Sequence, residues 1–217
     1  MKIAVLGTGV VGETIGSKLI ELGHFVKMGS RNADNEKGQA FVKKHEGKAT
    51  AGIFSDAAEF GEIVFNCTSG MASLAALKLA GENNLKGKII IDLANPLDFT
   101  NGMPPSLSII NTNSLGEEIQ NAFPQSMVVK TLNTLWCGLM VNPGMISGGN
   151  HHIFVSGNDA DAKQKVREIL NSFGWKDKNI LDLGDISSAR GPEMYLPLWL
   201  RIYGSTGNGA FNIQIVS

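Results

Sequence analysis

The residues best able to do chemistry in this chain form a glycine loop, Gly7-Thr8-Gly9-Val10-Val11-Gly12, followed by hydroxyl, guanidinium and amide groups at Ser30-Arg31-Asn32. Each glycine of a G-x-G-x-x-G has its own task. Gly7 permits a tight turn, Gly9 lets backbone approach a pyrophosphate, and Gly12 lets a helix pack on the preceding strand. The helix N-terminus behind the loop offers free N–H groups and a partial positive charge, which suits a diphosphate. The pattern is weak alone. Here it follows an apolar run at residues 2–6 and opens helically spaced apolar residues from Val10 to Leu22, the context it requires. The alternative is a glycine-rich turn without a ligand.

A dinucleotide site specific for NAD(H) places a carboxylate at the end of the second strand, on the ribose 2′-hydroxyl. This chain reads Met28-Gly29-Ser30-Arg31-Asn32 there and has none. Arg31 can grip a 2′-phosphate through paired, charge-assisted bonds and stack on adenine. The expected cofactor is therefore NADP(H); the alternative is a solvated arginine at a strand end. The expected contacts are Gly7, Thr8, Gly9, Val10, Val11, Gly12, Ser30, Arg31 and Asn32, joined from the ends of later strands by Thr68, Ser69, Asn95 and Pro96. Thr68 and Ser69 could instead cap a helix, and Asn95-Pro96 could be only a turn.

No residue declares itself a general acid. Asn95, Asn133 and Lys130 are the catalytic candidates, the two amides toward a carboxamide or second substrate and Lys130 as a proton donor. The competing reading of Lys130 is a strand lysine paired with a carboxylate. His151 and His152, adjacent on a strand, point to opposite faces, His24 and His45 are isolated, and Cys67 and Cys137 lack ligand spacing, so no metal site is expected. Hydride transfer between a nicotinamide and a flavin-like ring asks chiefly for stacked, dry positioning, and the missing acid fits it.

Strands are predicted at 2–6, 24–28, 49–51, 62–67, 88–93, 127–132, 151–155, 179–183 and 211–216. Helices are predicted at 10–22, 34–45, 71–79, 115–123 and 159–173, and in an apolar segment after Asp185 kinked at Pro197. Residues 94–112, with Pro96, Gly102, Pro104 and Pro105, read as a functional loop, and 133–150 as an irregular stretch. The alternation predicts an α/β fold, a doubly wound parallel sheet of the Rossmann NAD(P)-binding type with a small C-terminal extension. Residues 1–150 would form the dinucleotide-binding unit and 151–217 a smaller αβ part packed on it, or continuous with it.

The chain resembles the NADP oxidoreductases dependent on coenzyme F420, a deazaflavin. The resemblance rests on Met1-Lys2-Ile3-Ala4-Val5-Leu6-Gly7-Thr8-Gly9, Ser30-Arg31, Asp92-Leu93-Ala94-Asn95-Pro96, Val128-Val129-Lys130-Thr131-Leu132-Asn133-Thr134, Ser156-Gly157-Asn158-Asp159, and Arg190 with Glu193. It extends to the NADPH-binding domain of animal six-transmembrane ferric reductases. It implies NADPH on the Gly7–Gly12 loop with its 2′-phosphate at Ser30, Arg31 and Asn32. It further implies a deazaflavin or flavin (F420, FMN or FAD) against the nicotinamide, in a cleft bounded by Asn95-Pro96-Leu97, residues 133–145 and the C-terminal part. The chain departs from the pattern in a Pro/Ser-rich 96–112 loop and at Trp136-Cys137-Gly138, Met140, Met145 and Gly148-Gly149, which leaves the acceptor open.

Composition narrows the partners. A formal net charge of −1, with Lys43-Lys44 as the nearest approach to a basic run, offers no footprint for nucleic acid or an anionic membrane. No apolar run reaches membrane-spanning length and the first strand starts at Lys2, so a cytoplasmic protein without a signal peptide is expected, its two cysteines reduced. A homodimer is expected because residues 151–217 have little core of their own. Three functions stay open: hydride transfer between NADPH and a deazaflavin or flavin; reduction of a small carbonyl or imine with Lys130 as acid; and a non-catalytic NADP(H)-binding regulator.

Overall fold

Ile3, Ala4, Val5 and Leu6 are completely buried, and their alternation shows why: Ile3 and Val5 join one apolar layer, Ala4 and Leu6 another on the opposite side. A strand covered on both faces belongs in the middle of a parallel sheet. The computed structural model describes residues 1–216; the last residue of the 151–217 segment lies outside them.

In chain order the elements are β1 (Lys2–Leu6), α1 (Val10–Glu21), β2 (Phe25–Ser30), α2 (Glu36–Lys44), β3 (Ala49–Ile53), α3 (Phe54–Phe60), β4 (Ile63–Asn66), α4 (Gly70–Ala80), α5 (Glu82–Leu85) and β5 (Ile89–Asp92). The short hairpin β6 (Leu97–Asp98) and β7 (Ser106–Leu107) follows, then α6 (Leu115–Ala122), β8 (Met127–Thr131), α7 (Cys137–Val141), β9 (Ile153–Ser156), α8 (Ala160–Ser172), β10 (Ile180–Asp182), α9 (Arg190–Met194) and α10 (Leu196–Thr206). The main sheet has the order β10-β9-β8-β5-β4-β1-β2-β3. The chain runs outward from β1 to β3, then recrosses to β4 on the other side of β1, which opens a crevice at the carboxyl ends of β1 and β4.

One apolar layer packs α1, α2 and α8 on the sheet through Ile15, Leu19, Phe41, Val166 and Leu170. The other packs α3, α4 and α6 through Ala57, Leu77 and Ile119. Each fully buried Leu or Ile contributes about 1.5–3 kcal/mol. Ile153, Val155 and Ile180 belong to the same layer as Ile3 and Val5, so residues 151–182 extend the one sheet and share its core.

Several elements differ from the sequence reading. Six strands are parallel, but β9 pairs antiparallel with β8, and β10 follows β9 in parallel. The connection through 132–152 holds only α7 and short 3-10 turns and never recrosses the sheet, so β9 enters from the end at which β8 leaves. A strand-helix-strand pattern reads the same in either direction. Helix α3 escaped notice because its seven residues start directly after β3, with Ile53 as an N-cap that carries no polar side chain. Pro197 does not kink a helix; it lies in the first turn of α10, where its missing N–H costs nothing.

Residues 211–216 are not a strand. Both edges of β9 are taken by β8 and β10, so the segment makes isolated bonds just before it, from His152 N to Ile213 O (2.8 Å), from Asn212 Nδ2 to His152 O (2.8 Å) and from Ile215 N to His152 Nδ1 (3.1 Å). Residues 151 and 152 precede β9, with His151 buried beside Trp175 and Asn212. Among the described residues no helix is long and apolar enough to cross a membrane.

Candidate functional site

The glycine loop is held by steric facts that only glycine satisfies. Gly7 has φ +111°, donates its N–H to Gly29 O (2.9 Å), and would place a Cβ 2.6 Å from Cys67 O. A Cβ on Gly12 would lie 2.0 Å from Gly7 O, so the helix touches the turn it leaves. Gly9 is the N-cap of α1, no side chain caps the amides behind it, and nothing lies within 4 Å of where its Cβ would be. The loop is therefore tight beneath and open above, with the α1 N–H groups facing the opening, a cradle that fits a diphosphate. Gly12→Ala is expected to cost about 1–3 kcal/mol by overpacking. A thermal melt unchanged to within a degree would show that α1 can withdraw from the turn.

Beside the loop, a cavity of about 180 Å³ is lined by Thr8, Ser30, Arg31, Asn32 and Asn35, without a carboxylate. Ser30, the last residue of β2, bonds Asn32 O (2.6 Å) and folds the turn, while Asn35 caps α2 by accepting from Gly38 N (3.0 Å). A second cavity of about 400 Å³ shares Gly7, Thr8, Arg31 and Phe54 and continues to Thr68, Ser69 and the small residues Ala72, Ala75 and Ala76 of α4. Small side chains on one wall and Phe54 with Arg31 on the other leave a slot suited to a flat ring. Ser69 is the N-cap of α4 but makes no side-chain capping bond, and the Thr68 hydroxyl turns inward to Asn66 Oδ1 (2.7 Å).

Farther along the sheet, the ends of β4, β5 and β8 carry a buried polar network. Asn66 donates to Asp92 Oδ1 (2.8 Å) and Ser73 Oγ (3.0 Å). Lys130 gives its protons to Asp92 Oδ2 (2.7 Å), Glu193 Oε1 (2.8 Å) and Ala94 O. Glu193 also accepts from Leu115 N (2.7 Å) and Gly116 N (3.0 Å), the first amides of α6. Burial alone would lower the Lys130 pKa, but the charges and hydrogen bonds of Asp92 and Glu193 outweigh it and hold the ammonium above the ordinary lysine range. With three protons on three protein acceptors, Lys130 has no N–H left for a substrate. Burial and the charge of Asp92 push the nearby Cys67 thiol up, so it stays neutral.

Above this network the amides of Asn95 and Asn133 clasp each other. Asn133 Nδ2 donates to Asn95 Oδ1 (2.9 Å), and Asn95 Nδ2 donates to Asn133 O (2.8 Å). Leu132, between Lys130 and Asn133, has φ +60°, a left-handed conformation that costs a leucine about 1–2 kcal/mol. Strain of this kind gathers at functional sites. Three residues further along the chain, Trp136 opens a cavity of about 530 Å³, walled by Trp136, Met145, Trp199 and Tyr203 and floored by Gly207-Asn208-Gly209. Among the described residues no charged one lines it. Trp199 stacks on Tyr203 (5.4 Å between centroids) and Phe211 (5.3 Å), and its indole Nε1 is buried without a partner among the described residues.

An Arthrobacter sp. protein of known crystal structure, named as an F420-dependent NADP reductase, is 49% identical to this chain, with a TM-score of 0.94 and complete coverage of both chains. The family model for NADP oxidoreductase, coenzyme F420-dependent, matches residues 2–96. The chain belongs to this family. It is an NADP-dependent oxidoreductase. The rat metalloreductase STEAP3 is 27% identical over 218 residues, covering 91% of this chain. The chain spans 38% of that protein's length. A reductive aminase from Aspergillus terreus, solved with NADPH, shares the fold at TM-score 0.66 and 17% identity, covering 95% of this chain and 62% of its own.

Within this NADP oxidoreductase, the structure gathers the glycine loop, Ser30, Arg31, Asn32, Thr68 and Ser69 around one crevice, with Asn95, Pro96 and Asn133 at its far end. The sequence reading missed Phe54, Asn35, and the Asn66, Ser73, Asp92 and Glu193 partners of the buried network. Asp92 carried a usable signal, a carboxylate closing an otherwise apolar strand at Ile89-Ile90-Ile91. Phe54 carried none, because α3 itself was invisible.

Proposed function

We propose that this oxidoreductase transfers a hydride between NADPH and a planar flavin-type ring, a flavin or a deazaflavin. NADPH would lie with its diphosphate on Gly7 to Gly12, its 2′-phosphate in the cavity of Thr8, Ser30, Arg31, Asn32 and Asn35, and its adenine in the slot between Arg31, Phe54 and α4. The nicotinamide end would reach the Asn95–Asn133 clasp. When bound, NADPH would supply the hydride with its electron pair, and the reduced ring would take its proton from solvent after leaving the site.

The observation that carries this reading is the sealing of the ionisable groups at the far end of the crevice. Lys130, Asp92 and Glu193 are spent on one another and on backbone, so a substrate would find no proton donor among them. A carbonyl or imine acceptor needs such a donor, whereas a flavin-type ring needs chiefly orientation and exclusion of water. The aromatic cavity walled by Trp136 and Trp199 supports the same class. Two tryptophans and a tyrosine offer flat apolar faces against which a planar ring can stack.

The test is a titration with NADPH and NADH, followed by FMN, FAD and F420, watching the nicotinamide absorbance band. Loss of that band with one of the three acceptors and NADPH is expected. Tight NADPH binding with no loss for any acceptor would overturn the flavin-type reading and leave a different small substrate or a regulatory role.

A further inference from the structure

We infer that the buried Asp92, Lys130 and Glu193 group acts as a fixed negative charge that favours the oxidised, positively charged nicotinamide, and so biases the protein toward oxidising NADPH. The inference rests on the nucleotide placement proposed above. The hydrogen-bond pattern fixes the protonation of the group. Asp92 accepts from Asn66, Ala94 N (3.2 Å) and Lys130, and Glu193 accepts from Leu115 N, Gly116 N and Lys130. Each of these contacts comes from a donor, the environment of an ionised carboxylate. Two carboxylates against one ammonium leave a net charge of −1, all three residues being at most 1% exposed. The next ion pair out does not cancel it, because Glu117 is already matched by Arg190 (2.9 Å from Nε to Oε2). The α6 N-terminus, which gives Glu193 two amides, explains why the excess charge is tolerated in the interior.

Position makes the charge consequential. Lys130 donates to Ala94 O and Asp92 accepts from Ala94 N, so the group grips the residue before Asn95 and lies directly beneath the Asn95–Asn133 clasp. Hydride loss turns a neutral dihydronicotinamide into a cation. A buried negative charge near that ring lowers the free energy of the oxidised form, while the phosphates, common to both forms, cancel in the comparison. In poorly screened surroundings one unit charge within about 10 Å changes such a ratio by about three- to tenfold.

The experiment is calorimetric measurement of the Kd for NADP+ and for NADPH, without acceptor, on the wild type and on Glu193→Gln and Asp92→Asn. Each variant takes the group from −1 to neutral at a different point. The wild type is expected to bind NADP+ at least as tightly as NADPH. Both variants are expected to shift the ratio toward NADPH by about three- to tenfold, and a circular-dichroism melt selects those that fold. Wild-type preference for NADPH of tenfold or more, or an unshifted ratio in a folded variant, overturns the charge inference; tighter binding of NADP+ than of NAD+ by the same protein then shows that the 2′-phosphate placement still stands. Failure of the wild type to bind either nucleotide overturns the placement itself.

Discussion

Lys130→Met is expected to destabilise the protein by about 3–5 kcal/mol, because removing one partner of a buried ion pair leaves uncompensated charge in the interior. At about 2–4 °C per kcal/mol for a chain of this size, the melting temperature should fall by about 6–20 °C. The cause is specific. Lys130 is 1% exposed, and its loss leaves the carboxylates of Asp92 and Glu193 facing each other with no cation between them. Methionine keeps the volume and removes the charge, so packing changes little. Adding Asp92→Asn and Glu193→Gln to the same variant should recover most of the loss, since the charges then go together. Calorimetric melting checks both. A single variant within 1 kcal/mol of the wild type would mean that the three groups are not charged as the hydrogen bonds require.

Arg31→Ala is expected to weaken NADPH binding by about 10- to 100-fold and to leave NADH binding nearly unchanged, the loss of one charge-assisted contact of about 1.5–3 kcal/mol. Among the described residues, Arg31 is the only cation lining the two cavities that meet Ser30–Asn32 and Thr68–Ser69, and neither holds a carboxylate; Lys37 and Lys44 line a separate cavity on the other side of Thr8 and Gly9, together with Glu13. Only the 2′-phosphate distinguishes the two nucleotides, so only that phosphate can translate the loss of a guanidinium into selectivity. Fluorescence titration of both nucleotides decides it. Equal losses would place the arginine against adenine or the diphosphate instead.

How much of this could be read from the chain depends on distance along it. The glycine loop was legible because its tasks are local: Gly7 turns, Gly9 opens and Gly12 packs, each within six residues. The position of Arg31 beside the loop was legible because the end of a strand paired with β1 lies there. The aromatic cavity was not, since Trp136 and Met145 meet Trp199 and Gly209 only through the path of the chain after β10. Lys130 could be read both ways, as acid or as ion-pair partner, and its partners decide. Asp92 is 38 residues before it, and Glu193 lies on α9, across the sheet's far end.

By itself the sequence determined the tight glycine turn, the apolar strands and the absence of a carboxylate after β2, because turn sterics and burial periodicity act over a few residues and need no partner. Tertiary structure decided the direction of β9 and β10, the fate of residues 211–216, the clasp of Asn95 on Asn133 and the sealing of Lys130. Each of these depends on which edges and acceptors are already taken when distant segments meet, and a lysine's chemistry is set by the groups that surround it.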